Sequence, residues 1–332
     1  MYTVRAGKFR RYHGEGLRQL LDVPTFLKNV RDFFLVIAGF WQSYFLLRKL
    51  KPNALFVKGG YVVVPVGLAA ALQHIPYVTH DSDAVPGLAN RIVGRWATLH
   101  AVGLPKEVYA YPAEKTITVG VPISHNFQAV TQDAKERFRH EIGLEHFKQL
   151  LFITGGGLGA QRLNEAVAEV APKLLAANEH LGIVHVVGRD HEKTMSATYA
   201  KSLPTRDMER VKVLGFTNDL YQYSGAADVV ITRAGATNLA EFALQAKACI
   251  IVPNPQLTGG HQTKNAEVIA KSQAAVVLED AKLEKQSSLL TQSVQELLDS
   301  KEMRQQLGLA LHRFARPTAT KELAKLILGV VR

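Results

Sequence analysis

Four stretches of the sequence carry residue types suited to holding a phosphorylated, hydroxyl-rich ligand. The first, "LLFITGGGLGAQRLNEAV" (residues 150–167), is an apolar run that ends in Gly155, Gly156, Gly157, Leu158 and Gly159 and passes into a good helix former. Glycines between a strand and a helix let backbone N–H groups and the positive end of a helix dipole face an anion. No Lys-Ser/Thr pair follows, as a P-loop requires, and Gln161 and Arg162 stand where a dinucleotide fingerprint needs its last glycine. The second stretch, "GFTNDL" (215–220), offers the aromatic face of Phe216 beside Thr217. The third, "TRAGATNLAEF" (232–242), sets Arg233 beside a small-residue turn of Ala234, Gly235, Ala236 and Thr237, with Glu241 on the helix that follows. The fourth, "PNPQLTGGHQTKNA" (253–266), leads into a helix carrying His261, Gln262 and Asn265. A nucleotide sugar needs this set: N–H donors for a diphosphate, an acid for two ribose hydroxyls, a flat face for a base and amides for sugar hydroxyls. Taken singly, Glu241 reads as an early-helix acid favoured by the dipole and His261 as a polar helix-start residue.

Each stretch follows a short β-rich run, so the elements around them must present loops at strand ends. In the second half the runs are 150–155, 182–188, 211–216, 229–233, 249–253 and 274–279, with helical segments between most of them and helices filling the tail from Gln286. In the first half, after a long helix ending near Leu50, the runs are 54–60, 77–81, 99–103 and 116–120, separated by helical patterns over 66–73 and 86–97. Alternation of this kind predicts parallel sheets with helices on their faces, and ligands at the carboxyl ends of the strands. At 332 residues the chain exceeds one comfortable core. The expected fold is therefore α/β, two doubly wound Rossmann-like domains facing a cleft. Their expected bounds are 1–124 and 137–310, with a polar linker over 124–136 and a helix over 311–332 that packs back on the first domain.

Charge is uneven. Residues 1–51 hold ten Lys/Arg against three acids, a net +7 within a chain of net +11. That patch suits an anionic lipid surface or an anionic substrate; no nucleic-acid module accompanies it, so no nucleic-acid partner is expected. The apolar run from Phe33 to Trp41 is shorter than the ~20 residues a bilayer span requires, and Gln42 and Ser43 interrupt it. It reads as an amphipathic helix that is buried or lies on a membrane. The single Cys249 sits in "ACIIVP" and reads as a buried structural thiol in a reducing, cytoplasmic setting. No cleavable signal peptide is visible at the amino terminus. Neither an Asp-x-Asp pair nor a His/Cys cluster points to a metal, and no cofactor is expected.

The motifs "GGGLGAQRLNEAV", "TRAGATNLAEF" and "HQTKNA" resemble the donor-domain motifs of the MurG-like glycosyltransferases. In the first half, "KGGYVVVPVGLAAAL" (58–72) is similar to that family's second glycine-rich loop, and "HDSDAVPGLANR" (80–91) to its "HEQNAVPGLTNR"-like segment. The resemblance runs from about Lys51 to Glu279 and implies the GT-B fold. It also implies an inverting, metal-independent transfer of N-acetylglucosamine from UDP-N-acetylglucosamine to a polyprenyl-linked acceptor, converting lipid I to lipid II on the inner face of the plasma membrane. By the same resemblance Glu241 is the ribose-binding acid, and Gln262, with His261 beside it, contacts the sugar. Gly156, Gly157 and Gly159 surround the donor diphosphate, with Gly157 standing where the family commonly has serine. Phe216 and Thr217 lie around uracil, while Arg233, Gly235, Ala236 and Thr237 form the turn leading to Glu241. Gly59, Gly60, Tyr61, Asp83 and Ser124 fall on the acceptor side, Asp83 and Ser124 as departures from the family's asparagine and arginine.

The family's opening strand and "GGTGGH"-like loop, with its histidine, have no counterpart before Lys58, so the general base is unassigned. His80, expected to end a strand at the cleft, is the better candidate, and His13 in "RRYHGEG" the weaker one. Three alternatives follow from the late start and the shared fold. One is a reading frame that truly begins upstream. Another is a non-catalytic UDP-sugar-binding subunit whose partner chain supplies the missing segment. The third is a UDP-sugar epimerase.

Overall fold

The computed structural model describes residues 1–8, 23–156, 160–256 and 258–331. The chain divides into two compact units, 1–122 with 257–261 and 318–332, and 123–256 with 262–317. Both are built on parallel sheets, as runs of buried β-branched residues closed by glycine or proline dictate.

The first unit holds helix α1 (Val23–Leu50), strand β1 (Leu55–Val57), α2 (Val63–Leu72), β2 (Tyr77–Asp81), α3 (Leu88–Val93), β3 (Leu99–Val102) and β4 (Thr116–Thr118). Its strands lie in the order β1-β2-β3-β4. One face of α1, with Phe40, Tyr44 and the buried Leu47, packs on the cluster around Ala69, Ala70, Tyr77 and Val93. Phe26, Phe33, Phe34, Trp41 and Phe45 on the same helix are exposed. The helix runs unbroken through Gln42 and Ser43, so its apolar stretch is longer than the run from Phe33 to Trp41. By length and composition alone, residues Pro24–Leu50 could cross a membrane. Gln42 has a different task from interruption. Its Oε1 accepts from the Arg5 N–H at 3.0 Å and its Nε2 donates to the Thr3 carbonyl at 3.0 Å. That clamp holds the extended first residues across the helix at Gly39, where any side chain would strike the Arg5 carbonyl.

The second unit continues with α4 (Gln132–Glu141), β5 (Gln149–Thr154), α5 (Gln161–Ala177), β6 (Leu181–Val186), α6 (Glu192–Ser202), α7 (Thr205–Met208), β7 (Val211–Leu214) and α8 (Leu220–Ala226). After these come β8 (Val229–Thr232), α9 (Ala236–Leu244), β9 (Ala248–Ile251), α10 (His261–Lys271), β10 (Val276–Val277), α11 (Asp280–Lys285), α12 (Ser288–Asp299) and α13 (Lys301–His312). The six strands are ordered β10-β9-β8-β5-β6-β7. The chain therefore steps outward from β5 and then returns to place β8 on the other side of it. Cys249 is buried in β9, where burial pushes its thiol up to about 12.

Helix α4 begins inside the stretch expected to be a linker. None of its residues is fully buried, though Phe138 packs on the core beside Tyr221; Thr131 caps it by accepting from the Ala134 N–H at 3.2 Å, and Lys135 and Arg139 pair with Asp228. Polar composition there marks a helix held by ion pairs together with a single aromatic anchor rather than by a continuous apolar stripe. The tail divides later than residue 311: α13 stays with the second unit, and α14 (Ala319–Gly329) returns to the first. There Leu323 packs with Val78, Ala101 and Val119 of its sheet.

Candidate functional site

In an open parallel sheet the ligand crevice opens where consecutive connections leave in opposite directions. Here that point lies between β5 and β8, which pair from Leu151↔Val229 to Thr154↔Thr232. The segment after β5 begins the glycine loop, and the segment after β8 is the turn of Arg233 to Gly235. Gly156 takes φ +88°, which a side chain rarely adopts, and its N–H donates to Thr154 Oγ1 at 3.3 Å. Gly157 and Gly159 lie outside the described residues. Across the switch, Asn238 Nδ2 donates to Thr232 Oγ1 at 3.1 Å.

The helices behind both loops are anchored from below. Asn164, in the first turns of α5 and fully buried, donates from Nδ2 to the Val187 carbonyl at 2.9 Å, and its Oδ1 faces His185 Nε2 at 3.1 Å. With Asn164 Oδ1 as acceptor, Nε2 carries the ring proton and Nδ1 accepts from the Tyr199 hydroxyl at 2.9 Å. Burial holds His185 down to about 3, so the ring stays neutral and the relay stays in one sense. The other loop is fixed by the buried Asn265, whose Nδ2 donates to the Ala234 carbonyl at 2.9 Å.

The site residues read from the sequence divide into two sets in this unit. Arg233 turns inward: only 4% exposed, it pairs with Asp280 and donates to the Val252 carbonyl at 3.1 Å, so it positions the turn rather than presenting a free charge. Gly235 caps α9 with extended backbone, and Ala236 opens the helix. Thr237 is exposed and Glu241 half-buried, one helical turn apart and hence on one face. Among the described residues nothing donates a hydrogen bond to the Glu241 carboxyl, and burial pushes it up to about 7. Gln262 Oε1 accepts from the Asn254 N–H at 2.8 Å, which leaves the amide N–H groups to be presented elsewhere. His261 groups with the first unit, its Nδ1 3.2 Å from the Val85 carbonyl.

Phe216 is 47% exposed, but one face carries the Arg189 guanidinium, 4.0 Å from the ring centroid. Thr217 Oγ1 accepts from the Asp219 N–H at 3.0 Å. Arg189 was not among the residues singled out in the sequence. Nor were Asn164, His185 and Asp280; the only signal for Asn164 was its place inside the glycine-loop motif.

In the first unit, Gly59 and Gly60 follow β1 with φ of +106° and +86°, and Tyr61 beyond them is exposed. His80 is a correction. It does not end β2, which runs one residue further to Asp81, and it is only 1% exposed. Its Nε2 meets the Gly120 carbonyl at 2.9 Å, and burial, with Lys58 nearby, lowers its pKa. With Nε2 held by the Gly120 carbonyl and Nδ1 buried without a hydrogen-bond partner among the described residues, His80 sits inside the sheet rather than being presented at a strand end. His13 lies outside the described residues. Asp81 is a hub here: it accepts from Asn90 Nδ2 at 2.8 Å, the Tyr111 hydroxyl at 2.9 Å and the Gly87 N–H at 3.3 Å. Ser124 is exposed, accepts from the Asn126 N–H at 3.3 Å and groups with the second unit. Among the described residues no cluster of His, Cys, Asp and Glu could hold a metal ion.

Residues 150–323 match the glycosyltransferase family 28 C-terminal domain, and residues 11–102 match the family's N-terminal domain. The UDP-N-acetylglucosamine–N-acetylmuramyl-(pentapeptide) pyrophosphoryl-undecaprenol N-acetylglucosamine transferase of Natranaerobius thermophilus is 30% identical over 303 residues, covering 91% of this chain and 80% of its own. The crystal structure of MurG from Acinetobacter baumannii aligns with a TM-score of 0.69 at 27% identity, over 89% of this chain and 80% of that one. A UDP-GlcNAc 2-epimerase from Neisseria meningitidis, crystallised with UDP-GlcNAc, aligns with a TM-score of 0.61 over 89% of this chain and 80% of its own, but at 12% identity it shares the fold alone. Two parallel-sheet units of the GT-B class, matched by both family 28 domains, have a relative that aligns along nine-tenths of the chain; the chain belongs to glycosyltransferase family 28, among its MurG-like transferases.

Proposed function

We propose that this protein transfers N-acetylglucosamine from UDP-N-acetylglucosamine to a polyprenyl-diphosphate-linked muramyl acceptor, the step from lipid I to lipid II. The observation that carries the reading is Glu241: a carboxyl with no hydrogen-bond donor of its own, beside the switch point of the second unit. Two ribose hydroxyls supply the donors it lacks. Gly156 and the amino terminus of α5 receive the diphosphate, Phe216 and Thr217 the uracil, and the free amide of Gln262 the sugar hydroxyls, with His261 beside it. Arg233, through Asp280, holds the turn of Gly235, Ala236 and Thr237 in register.

The reaction is a single displacement. The acceptor hydroxyl attacks the anomeric carbon, the bond to the diphosphate oxygen breaks, UDP leaves, and the hydroxyl proton passes to a base. Backbone N–H groups and the dipole of α5 stabilise the charge that grows on the leaving diphosphate. The acceptor is received on the first unit near Gly59, Gly60, Tyr61 and Asp83. Exposed Phe26, Phe33, Phe34, Trp41 and Phe45 on α1, with Lys and Arg at both ends of that region, dock the protein on the anionic inner leaflet, where such an acceptor is found. The epimerase reading has only a fold likeness behind it.

Calorimetric titration of UDP-N-acetylglucosamine into the folded chain tests the donor half. Glu241→Ala is expected to weaken binding tenfold or more, since a hydrogen bond to a charged group contributes about 1.5–3 kcal/mol. Absence of binding by the unmodified chain, or equal binding by the variant, overturns the assignment. Transfer of labelled sugar to a polyprenyl-linked acceptor in vesicles tests the other half.

A further inference from the structure

The first unit contains a cavity of about 570 Å³ between α3 and the segment joining β3 to β4, a volume that fits a small ligand. Arg91, Arg95 and Lys115 line it, together with Pro86, His100 and Tyr111, and no carboxylate does. None of the three cations has an ion-pair or side-chain hydrogen-bond partner among the described residues. Surface cations are usually dispersed among acids; three converging on one concavity without a counter-charge make a field that attracts an anion.

The floor is rigid and polar. His100 is 2% exposed, and its ring stacks flat on Tyr111 with centroids 3.9 Å apart and planes 3° apart. Thr79 Oγ1 lies 2.8 Å from His100 Nδ1, and Nε2 has no partner among the described residues. When the Thr79 hydroxyl donates to Nδ1, the ring proton sits on Nε2 and is available to a ligand. Burial, helped by Lys115, holds this histidine down to about 4, so it is a neutral donor rather than a fourth charge. The Tyr111 hydroxyl is in turn fixed by Asp81.

We propose that this cavity is a binding site for a phosphate or diphosphate group, held by Arg91, Arg95 and Lys115 and contacted by His100 Nε2. Two guanidinium forks match phosphate oxygens in pairs, and the ammonium adds a point charge. The site draws on residues of the first unit alone, so it does not rest on the assignment of the donor loops. It shares one hub with the acceptor side, because Asn90, next to Arg91, donates both to Asp81 and to the His80 carbonyl.

Isothermal titration of inorganic diphosphate into the folded chain, with UDP present in excess, is expected to give a saturable heat of binding. The affinity is expected to fall tenfold or more in Arg95→Gln/Lys115→Gln, with an unchanged melting temperature. Diphosphate that gives no saturable heat, or that binds the double variant equally well, overturns the proposal. Competition by phosphatidic acid vesicles assigns the site to a lipid headgroup; diphosphate binding unaffected by vesicles assigns it to a soluble phosphate.

Discussion

Asp81 is a buried carboxyl of the first unit and Glu241 a half-buried one of the second, and their surroundings differ in kind. Burial raises both. Three donors then pull Asp81 back towards the ionised form, from Asn90, Tyr111 and Gly87, whereas Glu241 has burial alone and reaches about 7. A carboxyl supplied with donors by its own fold is part of the scaffold. One left bare in a strand-end crevice destabilises the empty protein and is compensated only when something arrives with hydroxyls to give. Asp280 belongs with Asp81: its oxygens are taken by Arg233 and, at 3.5 Å, by Arg162.

Breaking the saturated sites should cost stability. Asp280→Ala leaves the guanidinium of Arg233 buried without its partner, and urea unfolding is expected to show a loss of about 3–5 kcal/mol. Asp81→Ala strands three donors at once, for a loss of about 2–4 kcal/mol by the same measurement. If either variant unfolds like the parent, the contrast between donor-saturated and bare carboxyls fails.

The bare site should behave in the opposite way. Because the native state keeps a proton on Glu241 up to about 7 while an unfolded chain releases it near 4.5, the native state binds more protons within that window. Stability therefore falls as pH rises from about 4.5 to about 7. Glu241→Gln is expected to flatten that slope and to stabilise the ligand-free protein by roughly 1–3 kcal/mol at pH 8, while UDP-N-acetylglucosamine affinity drops about tenfold. Thermal melts at pH 5 and pH 8 decide it; a variant less stable than the parent at pH 8 would count against an unsatisfied carboxylate. The smallest effect concerns Arg189, whose stacking on Phe216 is exposed: Arg189→Ala should change folding stability by less than about 1 kcal/mol in a denaturant titration.

The strands and their order of appearance were legible because most are short apolar runs, rich in β-branched residues and closed within a few residues by glycine or proline. The loops that follow them were legible for the same reason, and the role of Glu241 came from the motif around it. What stayed hidden depends on pairing across the sheet. Arg189 and Phe216 are distant in sequence, yet Val186 pairs with Leu214, so the residues just beyond those two strand ends meet. His80 looked accessible because a strand buried on both faces gives no alternation to mark which side chains are sealed in. Helix α4 was hidden by the lack of a continuous apolar stripe, since Asp228 and Tyr221, both far along the chain, help to hold it.

The return of α14 to the first unit has a consequence for the order in which the protein is made. Val78, Ala101 and Val119 lie on a sheet whose cover, Leu323, is synthesised only after the whole of the second unit. Until then that sheet face is bare, and the amino-terminal unit, translated first, is finished last. A nascent chain stalled before residue 318 would present an incomplete, sticky half beside a complete one, a state in which chaperone occupancy rather than native stability governs yield.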